Sequence, residues 1–322
     1  MRFAGAMFLL AGVSGAQETP GRLGLTCLEL KDVDLGAGLA VVLQTPSGKT
    51  YLYDTGVGYA RDGGWVGDYN AGRDTIAPFL RERRIERIDG IFMSHAHSDH
   101  YGGLLWLAEN MPVGTLYDSG YEYRGAGDPG TSAGELKRYA DLRETFRARG
   151  AYVKAVAGDR LKIDERLDVE VVGPPKDYFG IVSPEKRPKH DGPSHYLVNA
   201  NSLMLRITFG EHVFLFPGDI QDVDQREQLM KAVAPEKLRC HVLIAPGHGL
   251  HCIPEFAEAA RPEVTICSIH ARYANHVRAL ATRVFGAVGS KVYLTAHHGS
   301  VTVESDGRTS SVRTEREPAG SK

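Results

Sequence analysis

Apolar residues fall along this chain in short bursts, and their spacing changes from one region to the next. Runs at 25–30, 39–43 and 50–53 read as strands, the last two joined through the turn Thr45-Pro46-Ser47-Gly48-Lys49. The run Ile88-Asp89-Gly90-Ile91-Phe92-Met93 reads as a buried strand. Strands are also predicted at 152–156, 161–163 and 167–172, with a hairpin at 203–209 and 213–216 around Gly210-Glu211. Apolar runs at 242–245, 264–267 and 291–294 add three more. Elsewhere the spacing is helical. Asp74 is placed to cap a helix with Ile76, Phe79 and Leu80 on one face. Leu136, Tyr139, Leu142 and Phe146 line one face over 135–149, and helices fit 224–233 and 274–285. The Gly-rich stretches 59–72 and 115–134 read as loops, and the polar stretch 176–194 as a loop or flap. Strands come first, then strand and helix alternate, twice over. That order predicts an α/β chain of two packed sheets with helices outside. Without a linker between the halves, 23–307 reads as one domain, and the charged, small-residue tail 308–322 as disordered.

Composition sharpens this picture modestly. The 322 residues are 42% hydrophobic and 24% charged, which suits a globular chain with an ample core. A formal net charge of -2 argues against a strong overall electrostatic grip on nucleic acid. Met1-Arg2, a small and apolar stretch to Val13, and Ser14-Gly15-Ala16 resemble a secretory signal over 1–16. Export to the periplasm or beyond is the expectation, with the cytoplasm as the alternative if the leader is misread. The apolar stretch is too short to span a membrane. Cys27, Cys240, Cys252 and Cys267 form no CxxC pair. Their even number permits disulfides after export, although Cys27 and Cys267 lie in strand-like runs and read as small buried side chains.

The chemistry concentrates in Met93-Ser94-His95-Ala96-His97-Ser98-Asp99-His100-Tyr101-Gly102-Gly103. Three imidazoles and a carboxylate leave a hydrophobic strand, and a Gly-Gly turn then opens an apolar helix. Imidazole and carboxylate are the ligands of borderline divalent metals, zinc above all. His95 and His97, two apart, can share one metal, and Asp99 and His100 are placed to hold a second. The chain contains no P-loop and needs no serine or cysteine nucleophile.

Other motifs stand in a telling order. Asp54-Thr55-Gly56 ends a strand before the histidine cluster. Downstream come Ala157-Gly158-Asp159-Arg160-Leu161, then Asn201-Ser202-Leu203-Met204-Leu205-Arg206-Ile207-Thr208-Phe209-Gly210. Phe214-Leu215-Phe216-Pro217-Gly218-Asp219, Pro246-Gly247-His248-Gly249 and Val303-Glu304-Ser305-Asp306-Gly307 follow. With these in sequence, the chain resembles the metallo-β-lactamase-fold hydrolases from about Leu25 to Gly307. Among them it is most similar to the C-terminal hydrolase domain of ComEC-type DNA-uptake proteins. The resemblance implies a four-layer αββα sandwich. It implies that His95 and His97 bind a first metal and that Asp99 and His100 bind a second, with Asp99 orienting the nucleophile. Asp219 would bridge the two metals and His248 complete the second site. Asp54 would accept an N–H from a ligand imidazole and fix its tautomer. For the family's third motif the candidates are His195 and, behind it, His190. His276 falls near the family's His-Pro position and is a candidate for facing substrate.

Departures from the family pattern bear on the substrate. Gly247 stands where the family has the first histidine of His-His-Gly-Ser, and Leu250 stands at its serine. The acidic residue of the family's early Val-Gly-x-Gly-Asp turn is missing from Asp34-Leu35-Gly36-Ala37-Gly38. His297-His298-Gly299-Ser300 spells the family motif but follows the last predicted strand, so it reads as a turn near the C-terminus. Two divalent ions, zinc by the dominance of imidazole, with manganese or iron fitting the carboxylate share, would turn a shared water into hydroxide near neutral pH. The resemblance implies a metallo-hydrolase of phosphodiester type, nuclease-like, acting on a small molecule or a nucleic acid. Hydrolysis of an ester, lactone, thioester or β-lactam is the alternative chemistry. A non-catalytic metal- or DNA-binding accessory protein is the alternative class.

Overall fold

The near-continuous apolar runs become strands buried on both faces, as sheets covered by helices require. A computed structural model describes residues 21–31, 38–58, 69–125, 133–187 and 192–317. The expected leader 1–16, most of the loop 59–72 and His190 lie outside the described residues.

The first sheet draws on β1 (Leu23–Cys27), β2 (Ala40–Gln44), β3 (Thr50–Thr55), β4 (Ile88–Phe92), β5 (Val113–Asp118) and β6 (Tyr152–Lys154). The second holds β7 (Leu167–Gly173), β8 (Met204–Phe209), β9 (His212–Phe216), β10 (Val242–Ile244), β11 (Val264–Cys267) and β12 (Lys291–Leu294). The chain then returns as β13 (Val301–Ser305) and β14 (Ser310–Thr314). The sheet orders are β14-β13-β1-β2-β3-β4-β5-β6 and β12-β11-β10-β9-β8-β7. Strands β3 to β6 run parallel, as do β9 to β12. Each sheet therefore presents a row of carboxyl-end loops at one edge, the place where open α/β sheets carry their ligands.

Alternation along each strand builds the layers. Leu25, Val41, Tyr53 and Phe92 from the first sheet meet Leu205, Ile207, Phe214 and Phe216 from the second in one core. Their neighbours Val42, Leu52 and Ile91 face outward into a second core. There they meet helix α1 (Ala77–Glu82), helix α2 (Ser98–Asn110) and helix α3 (Ala133–Ala148). Helix α4 (Pro193–Ala200) leads into β8. Leu215 and Leu243 face a third core with helix α5 (Pro254–Ala260) and helix α6 (Ala271–Val284). The result is helix, sheet, sheet, helix. Each fully buried Leu or Phe contributes about 1.5–3 kcal/mol. Tyr53 Oη also crosses between the sheets to donate to the Leu203 carbonyl at 2.8 Å, and Leu203 N–H donates to the Ser94 carbonyl at 2.7 Å. These bonds pin the sheets together behind the histidine loop.

Several expectations change. The tail is not wholly disordered, because β14 pairs with β13 over five residues, and Arg316 grips Glu29 at 2.6 Å. Residues 161–163 form no strand, since only Arg160 bridges to Glu170 there. Asp74 does not cap a helix. It lies inside a π-turn at Gly72–Ile76, and its carboxylate accepts the Asn70 N–H. All four cysteines are buried free thiols.

Candidate metal centre

The carboxyl ends of the two parallel runs converge. Asp54 ends β3, and His95 and His97 follow β4. Asp99 and His100 occupy the first turn of α2, one turn before the Gly-Gly that the sequence suggested as its start. From the other sheet, Asp219 follows β9 after Pro217-Gly218, and His248 sits in the 3-10 turn Pro246–Gly249 after β10.

Gly102 and Gly103 explain how α2 comes so close to β3. A Cβ on Gly102 would lie 2.3 Å from Gly58 N, and one on Gly103 would lie 2.2 Å from the Thr55 carbonyl oxygen. Only bare backbone fits. Thr55 Oγ1 then donates to the His100 carbonyl at 2.9 Å and accepts the Leu104 N–H at 3.0 Å. The Asp-Thr-Gly motif is thereby a mount for the helix that carries Asp99 and His100.

The hydrogen bonds fix which nitrogen of each imidazole holds a proton. Asp54 is fully buried. Its Oδ1 accepts the Ser94 N–H at 2.7 Å, and its Oδ2 accepts the Ser94 hydroxyl at 2.7 Å and His100 Nδ1–H at 2.8 Å. The Ser94 hydroxyl, its proton committed, accepts from His95 Nδ1 at 2.8 Å. His248 Nδ1 donates to the Ser268 carbonyl at 3.0 Å. In all three rings Nδ1 is the donor to a fixed acceptor, so Nε2 is the nitrogen turned toward the centre. Those three Nε2 atoms are buried without a hydrogen-bond partner.

Carboxylates face two of these nitrogens. Asp219 Oδ2 lies 3.3 Å from both His100 Nε2 and His248 Nε2. Asp99 Oδ2 lies 3.5 Å from His248 Nε2 and 3.8 Å from His100 Nε2. Potential ligand atoms of His95, His100 and Asp219 lie within 4.8 Å of one another, as do those of Asp99, His100 and His248. Buried imidazole nitrogens facing carboxylates are satisfied by a positive charge between them, a proton or a metal ion, so the residues fit a metal site.

Electrostatics divides the cluster. Burial holds the His95 imidazolium form well below the usual range, and the neighbouring His100 and His97 add to the shift. Burial followed by His195 brings His97 down to about 3. Burial would lower His100 and His248 too, but the carboxylates outweigh it. Asp219, Asp99 and Asp54 carry His100 well above the usual value, and Asp219 with Asp99 brings His248 to about 10. Burial opposes ionisation of Asp219, yet His248 and His100 hold it well below the ordinary carboxylate range.

The remaining site residues separate. His195 lies on α4 with its ring stacked on His97, centroids 4.8 Å apart, while His97 meets His95 edge-on at 4.7 Å. Neither His97 nor His195 belongs to the two tight ligand-atom groups. His276 is exposed on α6 and takes no part in them. His298 ends a single helical turn, Thr295–His298, its Nδ1 2.9 Å from the Leu294 carbonyl and its ring against Tyr293. Gly247 has no room for a side chain. Its φ is +51°, and a Cβ would fall 2.2 Å from the His251 ring.

The family description "Metallo-beta-lactamase superfamily" matches residues 33–254. The chain belongs to this superfamily. Membership makes it a metallo-hydrolase by family, with a superfamily site that takes two metal ions. Over 85 residues, 26% of this chain, it is 40% identical to the uncharacterized protein YcaI of Escherichia coli (strain K12), a match spanning 10% of that protein. Among solved structures it is similar to CmlA, a diiron beta-hydroxylase from Streptomyces venezuelae. That likeness has 15% identity and a TM-score of 0.48, over 88% of this chain and 54% of CmlA. It is also similar to a diphosphatase of the PhnP family, with 17% identity and a TM-score of 0.41, over 88% of this chain and 98% of the other. No helix among the described residues is long and apolar enough to cross a membrane.

Ser94, Ser202 and Ser268 complete the metallo-beta-lactamase site, and the sequence did not mark them out for this role. Ser202 Oγ accepts the Asp219 N–H at 3.3 Å and lies 3.5 Å from His95 Nδ1, so it touches both sheets' contributions. The available signal was position: each lies beside a strand end, Ser94 after β4, Ser202 before β8 and Ser268 after β11.

Proposed function

We propose that this metallo-beta-lactamase-family chain is a phosphodiesterase, nuclease-like and similar to the ComEC-type domain, that works with two divalent ions, zinc first. The observation that carries the reading is the pair of ligand-atom groups that share His100, with Asp219 touching both. Paired sites of this kind suit displacement at phosphorus, where charge develops on both attacking and leaving oxygens. His95, His97 and Asp219 would hold one ion, and Asp99, His100, His248 and Asp219 the other. Held there, two such ions would supply Lewis acidity, lowering the pKa of a water and neutralising charge on a phosphoryl group.

The chain's own residues do the rest. Asp54 and Ser94 hold His100 and His95 with their Nε2 lone pairs aimed inward. Asp99 is the most open carboxylate of the cluster, with its side chain 21% exposed against 13% for Asp219. It is placed to take a proton from the attacking water and pass it to the leaving oxygen. The signal-like residues 1–16 support export, and the size of the mature chain by mass spectrometry checks it.

The test is hydrolysis of bis(p-nitrophenyl) phosphate by metal-stripped protein reloaded with zinc or manganese, beside Asp99→Ala. Activity restored by metal and lost in the variant is expected. Turnover of acyl substrates (a β-lactam, a lactone, p-nitrophenyl acetate) with none of the diester would overturn the phosphodiester reading.

A further inference from the structure

The polar stretch that the sequence reads as a flap is tied down along residues 179–187. Asn201, at the end of α4, accepts the Phe179 N–H at 2.7 Å and donates to the Phe179 carbonyl at 3.0 Å. Gln228 makes the same exchange with Gly180, at 3.1 Å each way. Ser183 and Lys186 both reach Glu227, at 2.7 and 2.6 Å. Glu227 and Gln228 belong to the helical stretch 222–232 that follows Asp219. The segment is therefore a strap between α4, which carries His195, and the stretch that starts beside Asp219.

The last residue of the strap is held differently from the others. The Arg187 side chain is 2% exposed, and its partner Asp224 is fully buried. Arg187 Nη2 donates to Asp224 Oδ1 at 2.6 Å, and Nη1 donates to Asp224 Oδ2 and to Gln221 Oε1, each at 3.0 Å. Nε donates to the Val182 carbonyl at 3.3 Å. The guanidinium carbon lies 4.0 Å from the ring centroid of Tyr196, itself buried on α4. An exposed pair such as Lys186 with Glu227 adds little stability. A buried pair is costly to desolvate, and apolar side chains could fill the same space as well. What the planar fork adds is direction: it fixes carboxylate and amide at its edge and a ring on its face.

The groups held by that fork adjoin the metal centre from both sides. Tyr196 follows His195, whose ring stacks on His97 with centroids 4.8 Å apart. Gln221 lies two residues after Asp219, whose Oδ2 is 3.3 Å from both His100 Nε2 and His248 Nε2. The far end of α4 is joined to the same segment, because Ser202 Oγ accepts the Asp219 N–H at 3.3 Å. Without the Arg187 fork, α4 would keep its tie at Ser202 and lose the one beside His195.

We propose that Arg187 is a positioning residue for the metal centre. It fixes α4 against the Asp219 segment, and so sets where His195 braces His97 relative to Asp219. The proposal rests on the two-metal reading and is independent of the substrate.

The test is competition for zinc with a fluorescent chelator, with bound metal counted by mass spectrometry. Arg187→Lys keeps the charge that Asp224 needs but loses the fork and its flat face. It should still bind two zinc ions, one of them weakened about two- to tenfold, since the loss cannot exceed that of the aromatic stack through which Arg187 acts. Tyr196→Leu, which leaves the ion pair whole, should weaken the same ion, and Tyr196→Phe should not. Arg187→Lys combined with His195→Ala should lose no more than His195→Ala alone, the non-additivity expected of groups that act in series. Glu227→Ala frees Ser183 and Lys186 but leaves Arg187 untouched, and should leave both affinities unchanged. Full zinc affinity in Arg187→Lys or in Tyr196→Leu, or additive losses in the double variant, would overturn the positioning role. An equal loss in Glu227→Ala would assign the effect to the strap as a whole and overturn it too. Wild-type protein that binds no zinc would overturn the two-metal reading, and this proposal with it.

Discussion

The two halves of the metal centre are built from the same ligand types but are held in opposite electrostatic states. On one side, His95 and His97 are buried among imidazoles, and desolvation keeps them neutral. On the other, His100 and His248 are buried to a similar degree, but Asp99 and Asp219 face them and push them upward. Burial is common to both, so the carboxylates decide the outcome. An imidazole pocket made by desolvation alone is ready for a cation without releasing protons. One made with carboxylates must exchange protons for the metal.

Removing the group that faces both halves should have the largest effect. Asp219→Asn is expected to lower activity by more than the roughly 100-fold that loss of an outer hydrogen-bond partner costs. Bound metal, counted by mass spectrometry, should fall below two per chain. Two ions retained with activity intact would show that the halves do not depend on a shared carboxylate.

Asp54→Asn should cut more selectively. Its amide nitrogen would face His100 Nδ1 as a donor, driving the imidazole proton onto Nε2, the atom needed as a lone pair. Metal affinity is expected to fall about 10–100-fold at the carboxylate half, measured by chelator competition. An equal loss at both halves would mean that Ser94, which links Asp54 to His95, transmits the change across the cluster.

The pH dependence should differ in sign between the halves. For the metal-free protein, His97 is lowered from 6.5 to about 3, so its contribution is complete above 6.5 and is lost as pH falls towards 3. His248 is raised from 6.5 to about 10, so its contribution is complete below 6.5 and is lost as pH rises through 10. Thermal stability of chelated protein should therefore decline on both sides of about 6.5. His248→Ala should flatten the alkaline limb only. Metal affinity at the carboxylate half should rise about tenfold per pH unit for each proton displaced, and at the imidazole half stay level between pH 7 and 8. Parallel pH profiles at the two halves would refute this division.

The sequence revealed the halves unequally. His95, His97, Asp99 and His100 were legible because they crowd one short segment after an apolar strand. Asp219 and His248 come from distant strands, and only the order of motifs placed them. The helix boundary was misread because the first turn of α2 is polar, and a polar first turn has the composition of a loop. Helix α4 was not foreseen: the loop reading of 176–194 overlaps only its first two residues, and its start is marked by Pro193, a residue suited to a first helical position. Strand β14 has a single apolar residue, Val312, and pairs at a sheet edge where solvent permits polar side chains. Serines 94, 202 and 268 were invisible because serine occurs everywhere and only distance reveals its role.

The smallest expected effect concerns where the imidazole half ends. His195 stacks on His97 at 25° but lies outside the tight ligand-atom groups. If its part is to brace that ring, His195→Ala removes an aromatic contact of about 0.5–1.5 kcal/mol, which is about a two- to tenfold loss of metal affinity at the imidazole half. Two ions should still bind at saturation, and His195→Phe, which can stack but cannot ligate, should recover most of the loss. His276→Ala, altering an exposed residue of α6, should change neither quantity. A His195→Ala variant that loses a whole metal equivalent and is not rescued by phenylalanine would make His195 a ligand. The half held neutral by desolvation would then have three imidazoles of its own, and the contrast with the carboxylate half would be a contrast between complete sites.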